Sequence, residues 1–418
     1  MRRATAALLL CTALTTPAFA ADPADVVATY ADIAAAAYGD SLTTAQALQS
    51  AVATLIATPS ESGLTAARSA WLAARVPYQQ TEVFRFGNPI VDDWEGKVNA
   101  WPLDEGLIDY VATGYGLNEE NTLSQLNIIA TPKFTLSGSD IDATTITPAL
   151  IADTLHEADG IEANVASGYH AIEFLLWGQD LNGTEPGAGN RPYTDFLQGE
   201  GCTGGNCDRR AAYLAAATDL LVSDLEYMAA AWAPGGDGRA TVTADPQAGL
   251  LAMLTGMGSL SYGEQAGERM KLGLMLNDPE EEHDCFSDNT HNSHFYDGLG
   301  IRNVYLGSYT RVDGSIVSGP ALADLVAAVD PVVDARLQTE LNASIDALQA
   351  IKSAAEGGLA YDQMLAPGNT EGEALITAAI DALVTQTASI DRAVTALGLS
   401  QISFEGSDSL DNPGAVFQ

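Results

Sequence analysis

The chain has 418 residues, of which 47% are hydrophobic, so it can bury the core of one large domain or two ordinary ones. Asp and Glu number 55 against 18 Lys and Arg, which gives a formal net charge of −37. A field of this sign repels nucleic acid and anionic membranes, so we expect no nucleic-acid partner. It attracts cations, but it serves solubility equally well and does not say which cation matters.

The N-terminus has the pattern of a secretory signal peptide. Residues 1–3 include two arginines, residues 6–14 are apolar, and residues 18–20 are Ala-Phe-Ala. This order predicts a signal peptide over residues 1–20, cleaved near Ala20. The apolar run is too short to span a bilayer, and no longer run follows, so we do not expect an integral membrane protein. The mature chain is expected in the periplasm, at the cell surface or secreted.

The first half of the mature chain is predicted to be an N-terminal helical bundle over residues 21–205. Apolar residues recurring at spacings of three and four predict these helices: 24–38, 43–57, 63–86, 144–165 and 164–177. Residues 88–116 contain Pro, Gly and two Trp, which is typical of a long ordered loop. Residues 180–208 form a second excursion, rich in Gly, Pro and Asn.

The second half is predicted to be a C-terminal helical bundle over residues 206–400. Helices are predicted over these ranges: 208–232, 247–276, 321–355 and 370–397. Pro331 would kink the third, and the glycines of the second indicate close helix contact. A polar loop over residues 277–319 interrupts this bundle, and residues 401–418 form a tail expected to be loosely attached. The predicted fold class is therefore all-α, with two packed helical bundles.

Three cysteines remain after cleavage of the signal peptide. Cys202 and Cys207 lie in a Gly-rich loop and can close a small disulfide ring, which would leave Cys285 unpaired. Alternatively, Cys285 pairs with one of the other two. An exported chain meets an oxidising compartment, but the sequence does not choose between these pairings.

His170 and Glu173 are the strongest candidates for chemistry. Residues three apart share one face of a helix, so an imidazole and a carboxylate can approach one metal ion. The apolar residues 174–177 place this helix in a core, where a carboxylate needs a positive partner, hydrogen bonds or a metal. The alternative is a structural His–Glu pair satisfied by Arg75 or Arg85.

Glu82 is the natural third ligand. It follows Arg75 and Tyr78 and precedes Arg85 at spacings of three and four, so the four form one polar stripe on a helix. This stripe lines a cleft or is a solvated face. Residues 82–88 also resemble residues 173–179, which leaves open either a duplicated helical bundle or coincidence.

The polar loop holds three of the five histidines of the chain within twelve residues. Ser287, Asp288, Asn289 and His291 make it a candidate metal or oxyanion pocket. It can equally be a solvated acidic loop whose side chains cap a helix. The sequence has no His-Glu-x-x-His motif, no Gly-x-Ser-x-Gly elbow, no phosphate-binding loop and no dinucleotide fingerprint.

These motifs resemble a known family. Residues 168–178, Gly-Tyr-His-Ala-Ile-Glu-Phe-Leu-Leu-Trp-Gly, are similar to the Gly-x-His-x-x-Glu segment of imelysin-like proteins. Residues 68–86 resemble the earlier block of that family, and residues 282–291 and 300–305 resemble its later ones. The resemblance covers most of the mature chain and is closest to the iron-regulated protein A branch.

The resemblance implies an all-α fold of two bundles with the motif facing a cleft, export, and a link to iron acquisition. It implies a metal set of His170, Glu173 and Glu82. The other implied residues line the pocket: Arg75, Tyr78, Arg85, Ser287, Asp288, Asn289 and His291. An Arg beside a cation site favours an anionic co-ligand or a structural salt bridge.

Three functions follow as hypotheses. The first is a non-enzymatic protein that binds a divalent or ferric metal ion, iron or zinc, alone or as a chelate. It would contribute to iron uptake together with iron-transport proteins of the cell envelope. The second is a metallopeptidase of the insulin-cleaving imelysin type, although a zinc peptidase needs about three protein ligands, a water and a general base. The third is a helical adaptor that binds a partner protein.

Overall fold

The computed structural model describes residues 21–114 and 121–417. Within these ranges the regular structure is helical apart from two short antiparallel hairpins, which confirms the all-α fold class. The predicted signal peptide, residues 1–20, lies outside the described residues. No helix in the described ranges has the length and apolar character needed to cross a membrane.

The elements up to residue 232 are six α-helices and one hairpin. They are α1 (Pro23–Ala57), α2 (Glu61–Gln79), α3 (Pro89–Asn99), β1 (Lys133–Leu136), β2 (Ser139–Asp142), α4 (Pro148–Leu150), α5 (Gly168–Trp177) and α6 (Cys207–Trp232). In the hairpin, Lys133 pairs with Asp142 and Leu136 with Ser139.

The elements after residue 232 include the second hairpin, in which Ser308 pairs with Ser318. They are α7 (Asp237–Thr243), α8 (Pro246–Ser259), α9 (Leu272–Leu276), α10 (Thr290–Leu306), β3 (Ser308–Thr310), β4 (Ile316–Ser318), α11 (Leu322–Val329), α12 (Pro331–Glu356), α13 (Tyr361–Leu365), α14 (Thr370–Ala396) and α15 (Asp408–Asp411). A π-helical segment, Leu260–Lys271, joins α8 to α9. The predicted kink at Pro331 is a break between α11 and α12.

The first helix is continuous where the sequence pattern predicts two helices. α1 runs for 35 residues through the polar segment that separates the predicted helices. Within that segment, the buried Asp40 carboxylate accepts hydrogen bonds from Tyr309 and Arg311, which lie on and just after β3. These distant partners satisfy the carboxylate, so the helix can continue through a position that looks like an interruption in the sequence.

The segment after α2 differs from the prediction. Pro77 lacks an N–H and removes one helical hydrogen bond, and α2 ends at Gln79 instead of continuing to residue 86. The predicted loop over residues 88–116 is wrong at its start, because it contains α3. Asn88 caps this helix by accepting a hydrogen bond from the N–H of Ile90, and Pro89 occupies its first position.

The helix predicted over residues 144–165, with a break near Gly160, is wrong over most of its length. α4, one π-helical turn, Ile151–Leu155, and one 3₁₀ turn, Ala158–Gly160, form there instead. Glu157 and Asp159 then have φ values of 52° and 61°, in the left-handed region that ends a right-handed helix. The side chain of Asn164 donates to the carbonyl of Ala158 and stabilises this turn.

The polar loop is shorter than predicted. Residues 277–289 are a loop with one 3₁₀ turn, Pro279–Glu281, but α10 and the second hairpin occupy most of residues 290–319. The prediction of a loop was wrong there because the polar face of α10 is buried in hydrogen bonds rather than solvated. Ser293, His294 and Asp297 on this helix are all buried.

The two predicted bundles share a core. The main cluster of buried apolar residues extends from Val26 on α1 to Val394 on α14. A smaller cluster, containing Met270, Leu348 and Leu383, lies between the π-helical segment, α12 and α14. α1 packs on α2 and also, across the proposed boundary, on α6. The division near residue 205 stays a prediction.

The tail after residue 400 is attached to the fold rather than loose. The ring of Phe404 packs so closely on α8 that a Cβ added at Gly258 would lie 2.1 Å from it. The N–H of Glu405 donates to Ser259 Oγ, and Tyr262 donates to Asp411. The glycines of this helix therefore make the close contact that the sequence predicts, and the tail is one of the partners.

The structure chooses between the disulfide alternatives. Cys202 and Cys207 are bonded to each other across the start of α6. Cys285 is a free thiol. Burial raises the pKa of this thiol well above its usual range, so it is a poor nucleophile.

Candidate metal centre

Helix α5 carries the central histidine into the interior. Gly168 opens the helix with a φ of 82°, and a Cβ there would lie 2.5 Å from the carbonyl oxygen of Val98 at the end of α3. Only glycine fits this close approach. Every residue of α5 is buried. His170 and Glu173 share one face as predicted, with His170 Nδ1 3.1 Å from Glu173 Oε2.

The loop before α10 brings two further ligand types to His170. The ring centroids of His170 and His283 are 4.8 Å apart. Asp284 Oδ1 lies 3.9 Å from Nδ1 of His170 and 3.8 Å from Nδ1 of His283. One ligand atom from each of the three residues lies within 4.8 Å of the other two. We call His170, His283 and Asp284 the histidine–aspartate cluster.

The start of α10 fixes the position of Asp284. Its Oδ2 accepts hydrogen bonds from Asn289 Nδ2 and Ser293 Oγ, and its backbone N–H donates to Thr290 Oγ1. Asn289 is the N-cap residue of α10, but its side chain makes no capping hydrogen bond and binds Asp284 instead.

Arg75 reaches the cluster from α2. Its Nη2 donates to Asp284 Oδ1 at 2.8 Å, and its Nη1 donates to Asn99 Oδ1 at 2.7 Å. The guanidinium also lies 5.0 Å from the ring centroid of Tyr169 and 5.7 Å from that of Tyr78. Arg75 therefore contacts the cluster directly, and Tyr78 packs against its guanidinium.

Burial keeps both imidazoles neutral. Burial and the charge of Arg75 lower the pKa of His170 to about 3. Burial and the charge of Arg269 lower the pKa of His283 well below its usual range. A neutral imidazole has a free nitrogen lone pair, which is the form that binds metals.

The two carboxylates of the site behave differently. Burial alone would raise the pKa of Asp284, but Arg75 and the hydrogen bonds from Ser293 and Asn289 outweigh it and the pKa is lowered. Burial and the charge of Asp284 raise the pKa of Glu173 well above its usual range. The Arg75 guanidinium is therefore the positive charge shared by Asp284 and Glu173. A further positive charge would be favoured beside these two acids.

The donor set fits a metal ion in type and spacing. Two ligand atoms bound to one ion at about 2.0–2.2 Å are at most ~4.4 Å apart, so atoms within 4.8 Å need only a small movement. His170 Nε2 is buried and has no hydrogen-bond partner among the described residues. Its other nitrogen faces Glu173, which is the usual arrangement of a metal-bound histidine with a supporting carboxylate.

Glu82 is placed elsewhere. Its Oε2 accepts a hydrogen bond of 2.7 Å from Arg269 Nη2. The same guanidinium also pairs with Glu264 and Asp297. The structure does not bring Glu82 into the group of ligand atoms formed by the histidine–aspartate cluster. Its predicted role as a ligand has no support in this geometry, because an arginine already occupies its carboxylate.

The remaining predicted pocket residues lie at different distances from the cluster. Ser287 donates to Glu173 Oε1 through both its N–H and its Oγ, at 3.0 and 2.6 Å. Asn289 binds Asp284, as described above. Arg85 pairs with Asp92, Glu95 and Glu264 on the cleft wall.

Asp288 and His291 contribute to other contacts. Asp288 lies in a turn with a φ of 54° and belongs to a separate group of acids with Glu282 and Asp362. His291 Nε2 lies 3.0 Å from Asn292 Nδ2. Neither residue belongs to the histidine–aspartate cluster.

An acidic cleft leads to the cluster. It has a volume of about 720 Å³, and His283 and Asn99 are part of its wall. Most of its charged lining is acidic: Glu95, Glu157, Glu162, Glu264, Glu268 and Glu281. Two arginines, Arg85 and Arg269, also line it. Such a lining concentrates cations near His283, which lines the cleft and contacts the ring of His170.

His283 and Asp284 are the functional residues that sequence reasoning missed. Both lie in the polar loop, but their neighbours at 287–291 look equally suitable in the sequence. The available signal is that Cys285 and Phe286 follow directly, since an apolar pair pins its neighbours inward. Phe286 is indeed buried against Phe174 of α5, at 5.4 Å between ring centroids.

The fold and this site define a class, an all-α protein with a buried histidine–carboxylate group beside an acidic cleft. The family model described as Imelysin matches residues 34–390. This is most of the chain, so the chain belongs to the imelysin family, and the resemblance stated from the sequence is confirmed.

Individual relatives agree with this assignment. An iron-regulated protein A from Synechococcus elongatus is 36% identical over 83 residues, which is 20% of this chain and 21% of that protein. The match thus spans about a fifth of the relative's length.

A solved structure of an iron-regulated protein A precursor from Parabacteroides distasonis has a TM-score of 0.65 and 20% identity, over 90% of this chain and 95% of that one. An imelysin-like protein from Psychrobacter arcticum has a TM-score of 0.57 and 16% identity, over 91% and 98% of the two chains. At these identities the two structures show a common fold.

Proposed function

We propose that this protein binds a metal ion, iron or zinc, at the histidine–aspartate cluster and that this binding contributes to iron uptake. The observation that carries the proposal is the convergence of His170, His283 and Asp284. They come from segments more than 100 residues apart, yet their ligand atoms lie within 4.8 Å of one another. A core that needed only packing would have no reason to collect two neutral imidazoles around a carboxylate.

The unpartnered nitrogen supports metal binding over a purely structural role. A buried polar atom without a hydrogen bond costs about 1–3 kcal/mol, so most such atoms in proteins are satisfied. His170 Nε2 is not satisfied by any described residue. Metal coordination would satisfy this nitrogen, while Glu173 and Ser287 would hold the ring in place.

Arg75 favours a chelate over a bare ion. Its guanidinium donates to Asp284 Oδ1 and lies 3.4 Å from His283 Nδ1, so a cation here would have an arginine beside it. An anionic co-ligand placed between the two positive charges would remove this repulsion, because guanidinium binds carboxylates bidentately. We therefore include carboxylate chelates such as ferric citrate among the ligands to test.

The link to iron comes from the relatives. Two of the similar proteins carry the name iron-regulated protein A. Together with the predicted signal peptide, this supports a place in the cell envelope, where metal ions or chelates pass to iron-transport proteins. The compartment and those partners are part of the proposal.

Peptidase activity has less support in this geometry. A hydrolytic zinc site keeps one position open for water and needs a free general base. Here the cluster residues are at most 2% exposed, and the nearest candidate base, Glu173, is bonded to His170 and Ser287. We therefore propose metal binding without hydrolysis as the primary function. Cleavage of a peptide substrate by the zinc-loaded protein would instead favour the peptidase hypothesis.

Calorimetric titration tests the proposal. The metal-stripped protein from residue 21 onward is titrated with Fe(II), with Zn(II) and with ferric citrate. We expect binding by the wild type and at least a ~100-fold loss of affinity in His170→Ala, because one ligand of the set is removed.

His156→Ala is the matched control. His156 is also partly buried, but it contacts Ser167 and does not belong to the cluster. Its affinity should equal that of the wild type. If the wild type binds none of the three ligands, or if His170→Ala binds as well as His156→Ala does, the metal proposal fails. The site would then be a structural His–Glu pair in a partner-binding bundle.

A further inference from the structure

The loop that supplies His283 and Asp284 also supplies two acids to a separate group. Glu282 and Asp288 meet Asp362, which lies near the start of α13. One carboxylate oxygen from each of the three residues lies within 4.8 Å of the other two. We call Glu282, Asp288 and Asp362 the carboxylate cluster. It shares no residue with the histidine–aspartate cluster.

Four of the six carboxylate oxygens of this cluster have no hydrogen-bond partner among the described residues, whereas Glu282 also has a side-chain hydrogen bond with Thr290. Both oxygens of Asp362 are among the four, and this residue has no exposed surface. Glu282 Oε2 and Asp288 Oδ1 are in the same condition. An unpartnered buried carboxylate oxygen is costly, and four of them in one place need a common explanation.

No basic side chain neutralises these three acids. Within the described ranges, no Lys, Arg or His is ion-paired with Glu282, Asp288 or Asp362. The contrast with Asp284 is direct, because that carboxylate has Arg75 at 2.8 Å. Three like charges within a few ångströms in a buried place repel one another strongly.

We propose that the carboxylate cluster binds a hard divalent cation of the calcium class. The ligands are all oxygens, which Ca²⁺ and similar ions prefer, and they offer no nitrogen or sulfur that would favour zinc. Three carboxylates can supply up to about six oxygens, which is within the range that calcium takes. This site is additional to the proposed function and does not depend on it.

A small cavity lies on the Glu282 side of the cluster, and neither Asp288 nor Asp362 is part of its lining. It has a volume of about 10 Å³, which is close to the space of one water molecule, and Glu282 and Asp180 are part of its lining. Asp180 is only partly buried, so its carboxylate can complete the coordination from the solvent side. The bound cation would tie residues 282–288 to α13 and so hold the loop that carries His283.

The test is a calcium titration of the metal-stripped protein from residue 21 onward. The unfolding midpoint is followed as CaCl₂ is added, with NaCl of equal ionic strength as the reference. We expect the wild-type midpoint to rise with CaCl₂ at concentrations up to about millimolar, the range of weaker calcium modules. Asp362→Asn keeps the shape of the side chain but removes one charged ligand, so its apparent calcium affinity should fall at least ~10-fold.

Three further variants make the result decisive. Glu282→Gln removes a second ligand and should reproduce the loss, which keeps the test valid if Asp362→Asn folds poorly. Asp391→Asn changes an exposed acid of α14 and should respond to calcium as the wild type does. His170→Ala should also keep the calcium response, which separates this site from the proposed iron or zinc site.

Two results would overturn the proposal. The first is a wild-type protein that CaCl₂ stabilises no more than NaCl does. The second is an equal calcium response in the wild type, Asp362→Asn and Glu282→Gln. In either case the three acids would be neutralised by protons, and both amide variants would be more stable than the wild type without any cation.

Discussion

Two buried charged regions of this protein use the same residue types in different ways. In the first, Asp109 accepts hydrogen bonds from Nε and Nη2 of Arg210, at 2.6 and 2.9 Å, and from Nη1 of Arg191 at 2.8 Å. Burial alone would raise the pKa of Asp109, but these two arginines outweigh it and the pKa is lowered. The charge of this carboxylate is balanced within the chain, although Nε and Nη2 of Arg191 have no hydrogen-bond partner among the described residues.

The second region, around His170, is incomplete. Arg75 is shared between Asp284 and the neighbouring Glu173, and His170 Nε2 has no partner in the described part of the chain. The difference between the two regions indicates which buried polar group has a structural role and which is suited to binding a ligand. A buried acid whose charge is balanced by arginines of its own chain stabilises that chain, whereas a group with more acids than cations is suited to a positively charged ligand.

Breaking the complete region should have the largest effect. Asp109→Ala leaves the buried Arg210 guanidinium without its paired carboxylate and leaves Arg191 with Asp195 alone, so the free energy of unfolding should fall by about 3–5 kcal/mol. Urea unfolding measures this change. Asp142→Ala is the control, because its ion pair with Lys133 is exposed and should contribute little to stability. Equal effects of the two substitutions would contradict the assignment of a structural role to Asp109.

Removing a residue of the open region should affect the ligand instead. His283→Ala deletes one imidazole of the cluster, so the affinity for metal should fall about 100-fold in calorimetric titration. His291→Ala is the matched control, because that histidine lies in the same segment but outside the cluster. If His291→Ala weakens binding as much as His283→Ala does, the ligand assignment in this segment is wrong.

A residue that supports the open region should have a smaller effect. Ser287 Oγ donates to Glu173, which in turn contacts His170. Ser287→Ala should therefore weaken metal binding about 10-fold without removing a ligand. Ser50→Ala, an exposed serine of α1, provides the reference. Unchanged affinity in Ser287→Ala would show that Glu173 does not need this support to orient the histidine.

The smallest effect is expected at the cleft wall. Burial and then the charge of Glu82 raise the pKa of Glu95 to about 7. Because the folded-state pKa lies above the ordinary value of 4.5, the stability from this protonated group is present below about pH 4.5 and is lost as pH rises through about 7.

Glu95→Gln keeps the neutral form at every pH. Its stability relative to the wild type should therefore rise by about 1 kcal/mol between pH 5 and pH 6, as measured by urea unfolding at both values. Glu405→Gln, which changes an exposed acid of the tail, is the matched control. If the stability difference between Glu95→Gln and the wild type does not change with pH, Glu95 is not protonated in the folded protein. The excess of unbalanced acids would then be confined to the histidine–aspartate cluster and would not extend along the cleft.

Local pattern was enough for the long helices. α6 and α14 agree with the predicted ranges to within one residue at each end, because their apolar stripes are long and regular. The pattern failed where polar residues are buried. α10 was predicted as loop because its Ser293, His294 and Asp297 look solvated, yet each lies in the interior.

The candidate site was also only partly predictable from the sequence. The contact between His170 and Glu173 follows from helix spacing alone. The approach of His283 and Asp284 depends on how residues 277–289 fold back onto α5, and no local rule gives that path. Glu82 shows the converse, since its spacing fits a shared face but Arg269, 187 residues away, takes its carboxylate.

The sequence by itself determined the fold class, the family and one face of one helix, because these depend on periodicity and on residues close together in the chain. The tertiary structure decided which acids are neutralised by arginine and which are left open. That decision rests on Coulomb interactions between groups brought together only by packing, and they weaken so steeply with distance and solvent that no linear spacing encodes them.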